Sequence, residues 1–221
     1  RERLGPQRAT VGGLLSRRAV YGGALFFLFL ACLDSLPLVQ SRGWVIIAIG
    51  LPSLYLAYGY TGGPVPLAYL GLGELFVILF FGLVAVGGTF YVQTGEWLWP
   101  AGVVGLQVGL LSAVLIAINN LRDVEEDRQS GKKTLAVRLG PGVLQQMASG
   151  FVILAMILSL CGHYYETGWF FLLSVPWFVV GVTCIRGVKS SPPGRHYNRF
   201  LAGAALQLVL FAVLFTVAAA I

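Results

Sequence analysis

Asn119, Asp123 and Asp127 follow one another at intervals of four in the stretch INNLRDVEEDRQSGKKTLAVRLG, residues 118–140. A helical step of four drifts only about 40°, so the three side chains form one stripe, with Glu126 beside it and Glu125 turned away. Two carboxylates at that spacing repel each other by about a few tenths of a kcal/mol. A divalent cation removes the repulsion. Asp oxygens are hard ligands, and Mg²⁺ typically takes one or two carboxylates, keeps several waters and completes its shell with substrate phosphate. Lys132 and Lys133 follow Gly131, and Thr134 can N-cap a short helix, 135–139, ended by Gly140 and Pro141. Cationic donors and metal-bound acids can then meet over one anionic group, and a diphosphate fits. The same spacing also suits a solvated helix end, with Arg122–Glu126 and Asp123–Arg128 as surface pairs worth under about 1 kcal/mol. A calcium loop is excluded, because Arg128 stands where that loop needs Gly and Thr134 where it needs Glu.

The rest of the chain must position this stretch inside a bilayer. It is 57% hydrophobic and 11% charged, with a mean hydropathy of +0.81, which describes a membrane protein. Seven runs can each fill a hydrocarbon core of about 30 Å as a helix: about 19–39, 43–60, 72–93, 100–120, 142–161, 168–186 and 198–220. Helices are required because lipid offers a bare backbone no hydrogen-bond partner. The expected fold is thus all-α, a polytopic membrane helical bundle with short cytoplasmic cap helices, forming one domain over 1–221. Pro176 is expected to kink the sixth span, and the fourth to run without a break past Ile118 to Gln129.

Fourteen of the fifteen Lys and Arg residues lie in 1–18, 121–141 and 186–199, which seven spans place on one side, leaving only Arg42 opposite. By the positive-inside rule that charged face is cytoplasmic. Trp44, Trp97, Trp99 and Trp169 fall near the far ends of spans, where interfacial aromatics belong. Much of the basic character can serve topology and anionic lipid. No nucleic acid is implied, since no nucleic-acid module is recognisable. Cys32, Cys161 and Cys184 sit in apolar runs without metal-ligand spacing and read as packing residues.

The stretch at 118–140 resembles the second aspartate motif of the UbiA-type intramembrane prenyltransferases, and within them the 1,4-dihydroxy-2-naphthoate prenyltransferases, which favour NNxRDxxxDxxxGKxTLAVRLG. YTGGPVPLAYLGLGELFVILFFGLVAVGGTFYVQTG at 60–95, RLGPQRATVGGLLS near the start and PGRHYNRFLAG near the end resemble other segments of that family. The likeness covers essentially the whole chain. The family has nine helices and a first motif, NxxxDxxxD, on its second, and nothing of that form occurs here. Position 1 is Arg and the only methionines are Met147 and Met156, so two helices and the first motif are expected upstream.

The resemblance implies a Mg²⁺-dependent enzyme of the bacterial cytoplasmic membrane that joins a polyprenyl or phytyl group, taken from its diphosphate, to 1,4-dihydroxy-2-naphthoate on the way to menaquinone or phylloquinone. Asp123 and Asp127 would be the catalytic acids and, with Asn119, the metal site. Lys132, Lys133, Arg8 and Arg122 would bind the diphosphate. Tyr60 and Thr61, in the matching YTGGP, and Glu74, at the family's GLGE position, would line the acceptor or cation pocket. An acid just inside a span is by default functional or paired. Tyr58, Tyr69, Phe80 and Phe81 are further candidates to shelter an allylic cation, at about 0.5–2 kcal/mol per ring, although most rings in such a chain simply pack. His163 and His196 read as surface residues. Other aromatic acceptors within the family, or a proton-coupled transporter using Asp34 and Glu74, are the competing readings.

Overall fold

The computed structural model describes residues 9–63, 66–160 and 169–220, with no strand among them. The chain forms two compact units, 1–63 and 64–221. In the first, α1 (Arg17–Arg42) starts where the Ser16 hydroxyl accepts from the Ala19 N–H at 3.1 Å. It ends at Gly43, whose φ of 71° lets the chain turn directly into α2 (Trp44–Gly59). No residue of α1 is buried. Tyr60 and Thr61 close this unit in the turn after α2, and Arg8 lies outside the described residues.

The second unit holds α3 (Gly73–Thr94), α4 (Trp99–Arg122), α5 (Val124–Gln129), α6 (Leu135–Arg138), α7 (Pro141–Ser159), α8 (Trp169–Lys189) and α9 (Tyr197–Ala220). Among the described residues six helices, α1, α3, α4, α7, α8 and α9, are long and apolar enough to cross a membrane. The expected span at 43–60 is α2, a shorter apolar helix of 16 residues that rises about 24 Å, a mismatch to a core of about 30 Å that local thinning of the bilayer accommodates. Pro176 lies inside α8, which continues to Lys189.

In lipid the hydrophobic effect does not press helices together, so close backbone approach and polar bonds must do so. Both are present around α4. Gly105 and Gly109, one turn apart, face α3, where Ile78–Gly87 is wound as a π-helix. A Cβ on Gly109 would lie 2.6 Å from the Ile78 carbonyl oxygen and 2.9 Å from its Cα. On the other side, buried Gln107 donates from Nε2 to Ala155 O (2.9 Å) and Ser159 Oγ (3.0 Å), tying α4 to α7. Gly109→Val is therefore expected to force α3 and α4 apart. Overpacking of this kind costs about 1–3 kcal/mol and should lower the melting temperature in detergent by several degrees, and an unchanged melt would mean that the glycine contact does not hold the pair.

At the end of the bundle carrying the charged stretch, Leu121, Val124, Ala136, Leu144, Val188, Tyr197 and Phe200 form one buried cluster. The Tyr197 hydroxyl donates to Val188 O (2.9 Å) or Ser191 O (3.0 Å), and Gln145 Nε2 donates to Val188 O at 3.3 Å. These bonds pin the chain between α8 and α9 beside α7. The charged stretch therefore packs on a buried, hydrogen-bonded floor.

Candidate active site

The helix expected to run on past Ile118 breaks at Asp123, whose φ of −95° and ψ of 8° separate α4 from α5. No Gly or Pro causes the break. Arg122 supplies the reason: its Nε donates to Asp123 Oδ1 at 2.6 Å and its Nη2 to Asp123 Oδ2 at 2.7 Å. Adjacent residues on a continuous helix point about 100° apart and cannot face each other, so a bidentate fork onto the next residue accompanies a local departure from helix geometry. The i to i−4 backbone bonds persist across it, from Asp123 N–H to Asn119 O (3.1 Å) and from Asp127 N–H to Asp123 O (2.8 Å). The four-residue spacing of Asn119, Asp123 and Asp127 is thus kept.

Arg122 is 8% exposed and binds more than Asp123. Its Nη2 also donates to Asn119 Oδ1 (2.9 Å), and its Nη1 to Asn198 Oδ1 (2.8 Å) on α9. One guanidinium therefore fixes two members of the stripe and joins them to the last helix. Asp127 is buried and accepts from Lys132 Nζ at 2.9 Å. The loop that brings Lys132 back closes through Lys132 N–H to Asp127 O (2.9 Å) and the Ser130 hydroxyl to Asp127 O (3.1 Å), with Gly131 at a φ of 76°. The solvated pairs Arg122–Glu126 and Asp123–Arg128 do not form. Arg128 instead meets Glu125 on the exposed side.

The segment before α3 meets this loop. Lys132 Nζ lies 5.9 Å from the centre of the Tyr69 ring, and Lys133 N–H donates to Tyr69 O at 3.2 Å. Arg138 Nη1 donates to Leu70 O at 2.8 Å. Gly71, at a φ of 71°, passes so close to Lys133 O that a Cβ there would lie 2.7 Å from it. Buried Glu74 accepts from Asn120 Nδ2 at 2.9 Å, and its second carboxylate oxygen is without a partner among the described residues. Thr134 occupies the cap position of α6, which ends at Arg138, one residue before the expected end. Its buried hydroxyl makes no cap bond.

Asn119, Asp123 and Asp127 offer only hard oxygen donors, which is the chemistry Mg²⁺ selects. Each carboxylate is already held by a cation, and no three His, Cys, Asp or Glu side chains converge among the described residues. The set fits a metal that takes one or two carboxylates and leaves the remaining positions to water and phosphate. An acid-and-base ladder of this kind at the end of a buried helix suits the binding of an anionic group at a membrane surface.

The sequence model of the UbiA prenyltransferase family matches residues 2–209. The chain belongs to the UbiA prenyltransferase family. It is 33% identical to the 1,4-dihydroxy-2-naphthoate octaprenyltransferase of Mycobacterium tuberculosis, over 96% of this chain and 72% of that protein. With the enzyme of the same name from Escherichia coli it shares 32% identity, over 80% and 61% of the two chains. With the 2-carboxy-1,4-naphthoquinone phytyltransferase of Synechocystis it shares 29%, over 85% and 62%. No solved structure matches it.

As a UbiA-family prenyltransferase with six helices able to span a bilayer, this is an integral membrane enzyme, and the carrier reading is set aside. Of the residues singled out in the sequence, Asn119, Arg122 and Asp123 form one side-chain cluster and Asp127 with Lys132 a second, linked by the backbone bond from Asp127 N–H to Asp123 O, while the Lys133 N–H bonds Tyr69 O. Glu74 bonds Asn120. Tyr69 lies beside Lys132, Phe80 stacks on Phe76 at 5.9 Å, and Phe81 and Tyr58 are exposed. Asn198 was not legible as a site residue of this prenyltransferase, because its partner lies 76 positions away.

Proposed function

We propose that this prenyltransferase moves a polyprenyl or phytyl group from its diphosphate to 1,4-dihydroxy-2-naphthoate, with Mg²⁺ as cofactor, in the bacterial cytoplasmic membrane with its charged end toward the cytoplasm. The reading rests chiefly on the ladder of Arg122 on Asp123 and Asn119, and Lys132 on Asp127, at the end of a buried helix. The names carried by the naphthoate prenyltransferases it resembles supply the acceptor, and the one-sided distribution of Lys and Arg supplies the orientation.

Asp123 and Asp127, with Asn119, would hold the metal. When bound, Mg²⁺ supplies Lewis-acid stabilisation of the charge that develops on a departing diphosphate. The chain's own cations do related work. Lys132 and Lys133 present donors that can follow the leaving group as its charge grows, an effect realised mainly in the transition state. Arg8 is assigned the same role from the family resemblance. Arg122 keeps Asp123 and Asn119 in fixed rotamers. As the allylic C–O bond breaks, its electron pair leaves with the diphosphate. The carbon cation then takes the electrons of the acceptor's carboxylate-bearing ring carbon, and loss of CO₂ restores the aromatic ring. We assign the Tyr69 ring, 5.9 Å from Lys132 Nζ, to the charged end of such a path. Glu74, buried with one carboxylate oxygen unpartnered among the described residues, is proposed to line the acceptor or cation pocket.

Membranes carrying the full-length protein should transfer radiolabelled prenyl group from its diphosphate to dihydroxynaphthoate in preference to 4-hydroxybenzoate or homogentisate, and chelation of Mg²⁺ should abolish transfer. Product on another acceptor alone would remove the naphthoate assignment. Transfer that persists in chelator would remove the metal.

A further inference from the structure

A second, separate feature opens on the outer surface of the bundle between α7 and α8. It is a groove of about 180 Å³ lined by Ser149, Val152, Ile153, Val182, Ile185, Arg186 and Lys189, with none of the charged motif's residues in its wall. Its floor is apolar, and Ile153 is 51% exposed, so it faces outward from the bundle. Its rim is polar. Arg186 and Lys189 stand in the last turn of α8, both exposed, and neither has an acidic partner among the described residues. Ser149 Oγ donates to Gln145 O at 2.7 Å, which leaves its lone pairs for a hydroxyl donor. Because Gln145 bonds Val188, the rim lies at the same end of the bundle as the start of α7 and α9.

We propose that this groove binds an anionic glycerophospholipid from the surrounding bilayer, with its phosphodiester on Arg186 and Lys189 and the first part of an acyl chain on Val152, Ile153, Val182 and Ile185. The charge decides the class: two uncompensated cations and no carboxylate in the lining select a phosphate monoanion over a zwitterionic headgroup, whose own cation the rim would repel. The apolar floor decides the source. Free phosphate would satisfy the cations and leave that floor bare, whereas a lipid fills both in one molecule. A hydroxylated headgroup such as glycerol can also donate to Ser149. A prenyl diphosphate would cover the floor equally well, but its second phosphate would find no further donor or metal-ligating acid in the lining.

The test is native mass spectrometry of the full chain in detergent, with phosphatidylglycerol, phosphatidylcholine, inorganic phosphate or a short polyprenyl diphosphate added in turn. Phosphatidylglycerol should be retained selectively. Each basic residue near a membrane surface contributes about fivefold to anionic lipid binding, so the Arg186→Gln/Lys189→Gln pair should lower retention by about twenty-fivefold. Val182→Trp, which fills the groove and keeps both charges, should lower it as well, with circular dichroism and a thermal melt reporting that the variant is folded. Equal retention of phosphatidylcholine, unchanged retention in the double variant, full retention by folded Val182→Trp, or tighter binding of phosphate or prenyl diphosphate would each overturn the proposal. The measurement reads no prenyl transfer, so its failure leaves the catalytic reading untouched.

Discussion

Asp123→Asn and Asp127→Asn are each expected to lower prenyl transfer about a thousandfold, which corresponds to about 4 kcal/mol of lost transition-state stabilisation. Both replacements keep the shape of the side chain and one acceptor oxygen, so the Arg122 and Lys132 bonds can survive in weakened form. What disappears is the negative charge that would hold a divalent cation against the diphosphate. The two sites differ in surroundings: Asp127 is buried with Lys132 as its one ion-pair partner, whereas Asp123 is 21% exposed and forked by Arg122. Asp127→Asn leaves a partly buried lysine without its counter-ion. It should therefore also raise the KM for the diphosphate, because the weakened bond holds Lys132 less firmly. Residues acting on one metal-bound group do not add, so the double variant should be little worse than either single one. The assay is radiolabel transfer in membranes at matched protein level. Retention of more than about a tenth of wild-type transfer by either variant would exclude that carboxylate from the metal site.

The long apolar runs made the helices readable, because lipid leaves a spanning backbone no other hydrogen-bonded form. Runs are less informative about length. The segment at 43–60 reads as a span, yet Gly43 and the turn at Tyr60 limit α2 to 16 residues. The charged motif was readable in composition and spacing. Its internal pairing was not, because surface pairs were expected at i,i+4 or i,i+5, and the structure forms an adjacent pair, Arg122 with Asp123, that an unbroken helix forbids. Partners on other helices were hidden for a different reason. Glu74 with Asn120 and Arg122 with Asn198 depend on how helices pack, and that packing follows from glycine contacts such as Gly109 against Ile78 and from Gln107 reaching α7. In an apolar chain these few small and polar positions carry most of the tertiary information, and periodicity does not reveal which face meets which.

Arg122→Ala is expected to lower kcat about a hundredfold with a smaller change in the KM for the diphosphate, which would separate a positioning role from direct binding of the leaving group. Four hydrogen bonds already occupy the guanidinium, two to Asp123 and one each to Asn119 and Asn198, leaving a single N–H on Nη1 for anything else. A side chain so occupied acts mainly by fixing its neighbours. Removing it leaves Asp123 without its partner. The destabilisation should fall at the low end of the about 3–5 kcal/mol typical of broken buried pairs, because Asp123 retains contact with solvent. Arg122→Lys should rescue little, since a lysine keeps the charge but cannot form the fork onto one carboxylate while also reaching Asn119 and Asn198. Asn198→Ala removes one bond to a charged group, worth about 1.5–3 kcal/mol, and should shift the half-saturating Mg²⁺ concentration upward by loosening Asp123 through Arg122. A purely structural role for Asn198 would lower the melting temperature and leave that concentration where it was. If Arg122→Ala instead raised KM tenfold or more at unchanged kcat, the arginine would be binding the diphosphate directly, and the orientation of Asp123 would have to come from the bend at the end of α4 alone.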